Sequence, residues 1–79
     1  MNKMESIGSI IRFHRKKAGL TQKDLATLAG VGKSAVFDIE KGKMSVRLDT
    51  LMAILGVLNI RLEPQSPIMD QWGQEKERS

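Results

Sequence analysis

The chain has 79 residues, enough for one small domain, since folded domains usually contain roughly 100 to 150 residues. It has no cysteine and one histidine, which excludes disulfides and cysteine metal sites and makes a zinc site unexpected. The net charge is +4, from 13 basic and 9 acidic residues, which favours a polyanionic partner. Because so small a domain has a marginal core, a second subunit is the remaining way to stabilise it.

The apolar segments are too short to cross a membrane, which takes roughly 20 consecutive apolar residues. The first eleven residues also lack the apolar region of a signal peptide. We therefore expect a soluble, cytoplasmic protein that does not contact a membrane.

The first predicted helix covers about residues 6–18. Four residues recur at the helical spacing i, i+3, i+4 and i+7 behind a possible cap at Ser6; they are Ile7, Ile10, Ile11 and His14. Gly19 follows a basic last turn and is predicted to end the helix in the left-handed conformation. His14 is expected to be a partly buried packing residue rather than a ligand.

Two short helices joined by a glycine turn are predicted next. Thr21 and Asp24 have the spacing of a capping box at the start of the second helix, whose inner stripe is Leu25, Leu28 and Ala29. A tight turn over residues 30–32 leads to a third helix over residues 33–41, which Gly42 ends. Its inward residues are Val36, Ile39 and Ala35. This is the outline of a helix-turn-helix.

A fourth helix is predicted over residues 48–58, with Leu48, Leu51, Leu55 and Leu58 inward and Ile54 beside them. The period then changes to two over residues 59–63, which predicts a short strand with Ile60 and Leu62 on one face and Arg61 on the other. No second strand pattern exists in the chain to satisfy its backbone. We therefore expect this strand to pair with its copy in a homodimer.

The sequence resembles the Xre, Cro and phage-repressor family of helix-turn-helix proteins. The matching positions, within about residues 7–58, are Gly19-Leu-Thr-Gln22, Leu25-Ala26, Gly30-Val31, Val36, Glu40-Lys-Gly42, Leu51 and Ile54-Leu55. The resemblance implies a mostly helical, lambda-repressor-like domain of four to five helices. It also implies a sequence-specific DNA-binding transcriptional repressor.

The continuation after Ile54, with its short strand and a loose tail that contains one tryptophan, is similar in particular to the HipB-like antitoxins. That similarity implies a dimer whose C-terminal strands pair across the two-fold axis, which represses its own operon and binds a HipA-like kinase toxin. Two alternatives remain open: a stand-alone phage-type or metabolic regulator, and an interaction module that no longer binds DNA. The sequence contains no arrangement of catalytic residues, so neither an enzyme nor a cofactor is expected.

The third helix is predicted to read DNA bases. A helix that enters the major groove with its N-terminus first presents Lys33 and Ser34 to base edges, with Phe37 and Asp38 one turn further on. Lysine donates to guanine, and an aromatic ring can contact thymine methyl groups, although Phe37 could equally be a packing residue. Asp38 could accept from a cytosine amino group, but its charge would repel phosphates. The operator of a two-fold dimer is expected to be an inverted repeat.

Other residues are predicted to contact phosphate or to support the fold. Gln22 resembles the family glutamine that binds the DNA backbone, and Lys41 and Lys43, on either side of Gly42, are predicted to meet phosphate too. Arg15 and Glu40 match the family's arginine and glutamate that pair between the first and third helices. A charge so close to the core is tolerated only if it is matched, so we expect a mostly buried ion pair.

The C-terminal part of the chain differs from the rest. Residues 1–61 carry 11 basic and 5 acidic side chains, whereas residues 62–79 carry 2 basic and 4 acidic ones. Pro64 and Pro67 interrupt regular structure. We therefore expect a DNA-binding and dimerisation domain over residues 1–63 and a flexible tail over residues 64–79.

The tail keeps a few apolar residues within five positions, namely Ile68, Met69 and Trp72. They have the spacing of one turn of an amphipathic helix. Because tryptophan is enriched among residues that dominate binding energy, these three are predicted to bind a partner protein. The alternative is that the tail folds back on its own dimer or stays loose.

Overall fold

Five helices make up the structure, a computed structural model that describes the backbone of residues 3–78 and the side chains of residues 4–77. They are α1 (Lys3–Lys17), α2 (Gln22–Ala29), α3 (Lys33–Glu40), α4 (Leu48–Val57) and α5 (Met69–Arg78). Helix α3 packs against α1, α2 and α4, and α2 also packs against α4. None of the described helices is long and apolar enough to cross a membrane. The prediction of a mostly helical domain with four to five helices is confirmed.

The core is built from the facing sides of α1 to α4. Its buried apolar residues, among those described, are Ile11, Leu25, Ala26, Val36, Ile39, Leu51, Ile54 and Leu55. Four residues predicted to face inward do not, because Ile10 is 46% exposed, Leu28 62% and Leu48 68%, and His14 is exposed as well. The predicted stripes were therefore correct for α3 and only partly correct for the other three helices.

The face of α1 that packs inward differs from the predicted one. It includes a glycine and an arginine, which a search for apolar spacing does not find. Gly8 and Arg15 are buried, and with Ile11 they form the face toward α3. A Cβ atom at Gly8 would press against the carbonyl oxygen of Ile39, so glycine is what permits this close approach. His14 is consequently exposed, and its Nδ1 atom lies 2.7 Å from the Ile10 carbonyl oxygen. The expectation that His14 packs inward was wrong.

Leu48 is exposed because it is the first residue of α4. Side chains in a helix lean toward the N-terminus, so the side chain of a first residue extends past the end of the helix instead of toward the neighbouring helices. The buried stripe of α4 begins one turn later, at Leu51, and continues through Ile54 and Leu55.

The start of α2 has the predicted capping box. The Thr21 hydroxyl accepts from the Asp24 backbone N–H, and the Asp24 carboxylate accepts from the Thr21 backbone N–H, both at 3.0 Å. The hydrogen bond from the Thr21 backbone N–H stabilises the charged carboxylate and lowers the pKa of Asp24. The cap predicted at Ser6 was wrong, because Ser6 lies inside α1.

Helices α1 to α4 end in the same way, with a residue of positive φ and a pair of hydrogen bonds back to the last turn. These residues are Gly19 (φ 73°), Gly30 (φ 70°), Gly42 (φ 85°) and Asn59 (φ 57°). At the last of them, the Asn59 N–H donates to the Gly56 carbonyl at 3.2 Å and the Ile60 N–H to the Leu55 carbonyl at 2.9 Å. Asparagine tolerates the left-handed region better than other non-glycine residues.

The strand predicted over residues 59–63 is absent from the described part of the chain. Asn59 ends α4 instead of beginning a strand, and residues 60–66 form no regular structure. A strand needs a partner for its backbone groups, and this segment finds none within its own chain.

The predicted flexible tail contains helix α5. On α5 and just before it, the side chains of Trp72 and Ile68 are 59% and 60% exposed. The boundary between a domain over residues 1–63 and a tail over residues 64–79 stays a prediction, and residues 1, 2 and 79 lie outside those described.

Gly8→Ala should lower the free energy of unfolding by about 1 to 3 kcal/mol, because the new methyl group overpacks the contact between α1 and the last turn of α3. Gly56→Ala is the matched control. A Cβ atom there meets nothing within 4 Å, so alanine should stabilise α4 by about 0.5 to 1 kcal/mol. Urea unfolding of both variants measures the difference, and equal effects would show that the approach of α1 to α3 is not tight.

Candidate nucleic-acid interface

The first turn of α3 is open to solvent. Lys33 and Ser34, predicted base readers, are both exposed. The N-cap residue Gly32 has no side chain to accept from the first-turn N–H groups, and this turn contains no acidic residue. The start of α3 therefore presents partly positive backbone N–H groups and one lysine to whatever approaches it.

Two lysines that follow α3 contact side chains in the middle of this helix. Phe37 is 46% exposed, with the Lys41 Nζ atom 4.9 Å from its ring centroid. Lys43 Nζ lies 3.5 Å from Asp38 Oδ2. The structure thus pairs a predicted base reader with a predicted phosphate contact in both cases. Because Lys43 offsets the charge of Asp38, this carboxylate would repel phosphates less than an isolated one.

The buried charges predicted beneath this surface lie together. Arg15 Nε and Nη2 donate to the two carboxylate oxygens of Glu40 at 2.6 and 3.0 Å, with the two side chains 10% and 3% exposed. The remaining guanidinium nitrogen, Nη1, donates to the Leu20 carbonyl oxygen at 2.9 Å. Hydrogen bonding to Glu40 raises the pKa of Arg15. This bidentate pair fixes α1 against the last turn of α3.

Gln22 joins the same network. It is the first residue of α2, and its Nε2 atom donates to Glu40 Oε1 at 3.2 Å. Gln22 also lines two neighbouring concave surfaces. One is formed with Lys16, Lys23 and Lys33, and the other with Arg12, Phe37 and Lys41.

Several cations of this surface were missed from the sequence, namely Arg12, Lys16 and Lys23. The basic run at the end of α1 was interpreted only as a complement to the helix dipole. The sequence signal that could have identified two of these cations is the i, i+4 spacing of Arg12 and Lys16, which places both on one side of α1.

The remaining predicted site residues lie in the C-terminal segment. Ile60 is half-buried against the core, whereas Arg61 and Leu62 are exposed. Ile68, Met69 and Trp72 lie together and line a shallow apolar surface with Pro64 and Ser66. The roles predicted for all of these residues stay predictions.

Comparison with known proteins identifies the fold family. The helix-turn-helix family matches residues 11–65, more than half of the chain. The chain belongs to this helix-turn-helix family. The resemblance to Xre-like proteins is thereby confirmed, and α2 and α3 are the two helices of the motif.

The relatives of this helix-turn-helix protein include regulators of similar length. An uncharacterised HTH-type transcriptional regulator of Sinorhizobium fredii is 33% identical over 61 residues, which are 77% of this chain and 80% of that protein. Another, from Archaeoglobus fulgidus, is 37% identical over 65 residues, or 80% of this chain and 93% of the relative. The immunity repressor of Bacillus phage phi105 is 37% identical over 57 residues, which are 72% of this chain but only 40% of the repressor.

Glu40→Gln should lower the free energy of unfolding by about 3 to 5 kcal/mol, because it leaves the buried Arg15 guanidinium without its counter-charge. Asp49→Asn is the control, since the Arg47–Asp49 pair is 82% and 68% exposed and such pairs contribute little. Denaturant unfolding of both variants tests this. A Glu40→Gln midpoint equal to that of the wild type would contradict the structural role of the pair.

Proposed function

We propose that this protein is a sequence-specific, DNA-binding transcriptional repressor that acts as a homodimer. The observation that carries the proposal is the exposed first turn of α3, beside a surface that concentrates basic side chains. Relatives named as transcriptional regulators and as a phage repressor support it. A repressor of this kind acts in the cytoplasm and needs no catalytic activity, and we propose both for this protein.

The charge distribution supports a nucleic-acid partner. Cations from α1, α2 and α3 meet around Gln22, and the acidic side chain there, Glu40, is buried and neutralised by Arg15. Phosphate contacts supply most of the sequence-independent affinity for DNA. Lys33, Ser34 and Phe37 would then read bases from the groove, with Asp38 beside them.

The proposed dimer uses residues 60–63, which follow the end of α4 and form no regular structure within the described chain. Ile60 already packs toward the core, and Arg61 points to solvent, where it lies 3.5 Å from Glu63. Leu62, which would share a face with Ile60 in a strand, is exposed in the single chain, and pairing across a two-fold axis would cover it. Two recognition helices would then face half-sites about 34 Å apart.

The finer part of the proposal is that the protein is the autoregulating antitoxin of a HipA-like kinase toxin. Exposed apolar side chains at Ile68 and Trp72, on a segment separate from the α3 surface, favour a second partner.

Lys33→Ala should weaken binding to the operator by about 1 to 3 kcal/mol and relax specificity at one base pair, because lysine at this position donates to a base edge. Lys43→Ala should weaken binding to all sequences alike and flatten the salt dependence, because it removes a phosphate contact. Titration of both variants with operator and random duplexes measures this. Equal losses on both duplexes for both variants would remove Lys33 from base reading.

Arg61→Pro should yield a monomer, because proline removes a backbone donor in the middle of the proposed intersubunit strand. Arg61→Ala retains that N–H and is the control that should stay dimeric. Light scattering distinguishes the two masses. If Arg61→Pro remains a dimer, the interface lies elsewhere in the chain.

Deletion of residues 68–79 should leave operator affinity nearly intact while it weakens neutralisation of a co-expressed HipA-like kinase, because the apolar anchor is lost. Trp72→Ala should reproduce most of the effect in the full-length chain. Growth during co-expression and operator titration are the two measurements. A truncated chain that neutralises the kinase fully would show that the tail is not the binding site.

A further inference from the structure

Gln22 occupies the centre of the basic surface. It is the first residue of α2, it is half-buried, and it borders both concave surfaces described above. Lys16, Lys23 and Lys33 lie on one side of it, and Arg12 and Lys41 on the other. A polar side chain at this point is placed to meet the phosphate backbone of any duplex that lies across the surface.

The orientation of Gln22 is set by Glu40. An ionised carboxylate only accepts hydrogen bonds, so the amide nitrogen of Gln22, and not its oxygen, must face Glu40. The donor distance from Nε2 to Oε1 is 3.2 Å. The amide nitrogen carries two hydrogens, and because no hydrogen bond among the described residues uses the second one, it is left for an acceptor outside the protein.

Glu40 is itself fixed. Its side chain is 3% exposed, and Arg15 holds both of its carboxylate oxygens at 2.6 and 3.0 Å. Arg15 is held in turn by the Leu20 carbonyl. The orientation of Gln22 thus depends on a buried pair that is itself held in place.

We infer that Glu40 is a positioning residue for DNA binding, which holds Gln22 with one amide N–H toward the protein and the other toward a DNA phosphate. This inference rests on the proposed function and names a further role for the buried pair beyond stability. Its physical benefit is that the Gln22 side chain is already ordered before DNA arrives. Ordering a flexible side chain at an interface otherwise costs affinity, so loss of this positioning should weaken binding by about 3- to 10-fold.

A double-mutant cycle with Glu40→Gln and Gln22→Met tests the inference. The probe is a mixed-sequence duplex at low salt, because phosphate contacts do not depend on sequence. Glu40→Gln also removes a negative charge, which strengthens binding equally whether or not Gln22 is present. After this common effect is divided out, Glu40→Gln should lower the affinity for the duplex by about 3- to 10-fold when Gln22 is present. It should leave the affinity unchanged in the Gln22→Met background. An equal effect in both backgrounds would overturn the inference.

Thermal unfolding of the same four proteins separates this role from stability. Glu40→Gln should lower the melting temperature in both backgrounds, because Arg15 loses its counter-charge in each. A positioning role therefore appears as non-additive DNA affinity, whereas a purely structural role appears as additive affinity changes.

A measurement on the wild-type protein tests whether Gln22 is ordered in the absence of DNA, even if Glu40→Gln fails to fold. The side-chain amide of Gln22 should have a high NMR order parameter in the absence of DNA, because Glu40 holds it. Gln74, which is exposed on α5, is the control and should be mobile. A Gln22 amide as mobile as that of Gln74 would overturn the inference. Absence of any salt-dependent duplex binding by the wild type would instead contradict the proposed function.

Discussion

The arrangement of the first three helices depends on the hydrogen bonds that the buried Glu40 carboxylate accepts. A buried carboxylate is stable only if donors compensate for its lost hydration. Its donors come from Arg15 on α1 and from Gln22 on α2, while Glu40 itself ends α3. One acidic group therefore specifies how three helices meet, and this is the junction around which the basic surface forms.

Close packing at the same junction completes the geometry. Gly8 allows the backbone of α1 to approach the last-turn carbonyls of α3, so that Arg15 reaches Glu40 from two turns further along the helix. With α3 held on one side by this contact and on the others by α2 and α4, its N-terminal turn remains outside the core. The proposed DNA-reading surface is thus the part of α3 that the packing leaves uncovered.

Local signals in the sequence predicted much of this fold. The capping box of Thr21 and Asp24 and the glycines that end α1 to α3 act through neighbouring residues, so their outcome does not depend on the rest of the molecule. The inner face of α1 could not be predicted from apolar spacing, because a glycine and an arginine occupy two of its positions. The cations Arg12, Lys16 and Lys23 were missed because they come together only when α1 and α2 both pack against α3. The strand predicted over residues 59–63 is absent from the described chain, because no other described segment supplies partners for its backbone groups.

The most direct test of the central claim is an NMR titration of the isotopically labelled protein with a duplex selected from a random library. We expect the largest backbone shifts at the start of α2 and along the exposed side of α3, including Gln22, Lys33 and Phe37, and little change in the signals of α5. Because DNA phosphates approach the same surface, the side-chain amide of Gln22 should shift strongly while it remains ordered. Shifts that fall mainly on α5, or on the exposed face of α4 around Met52, would show that DNA does not bind through α2 and α3.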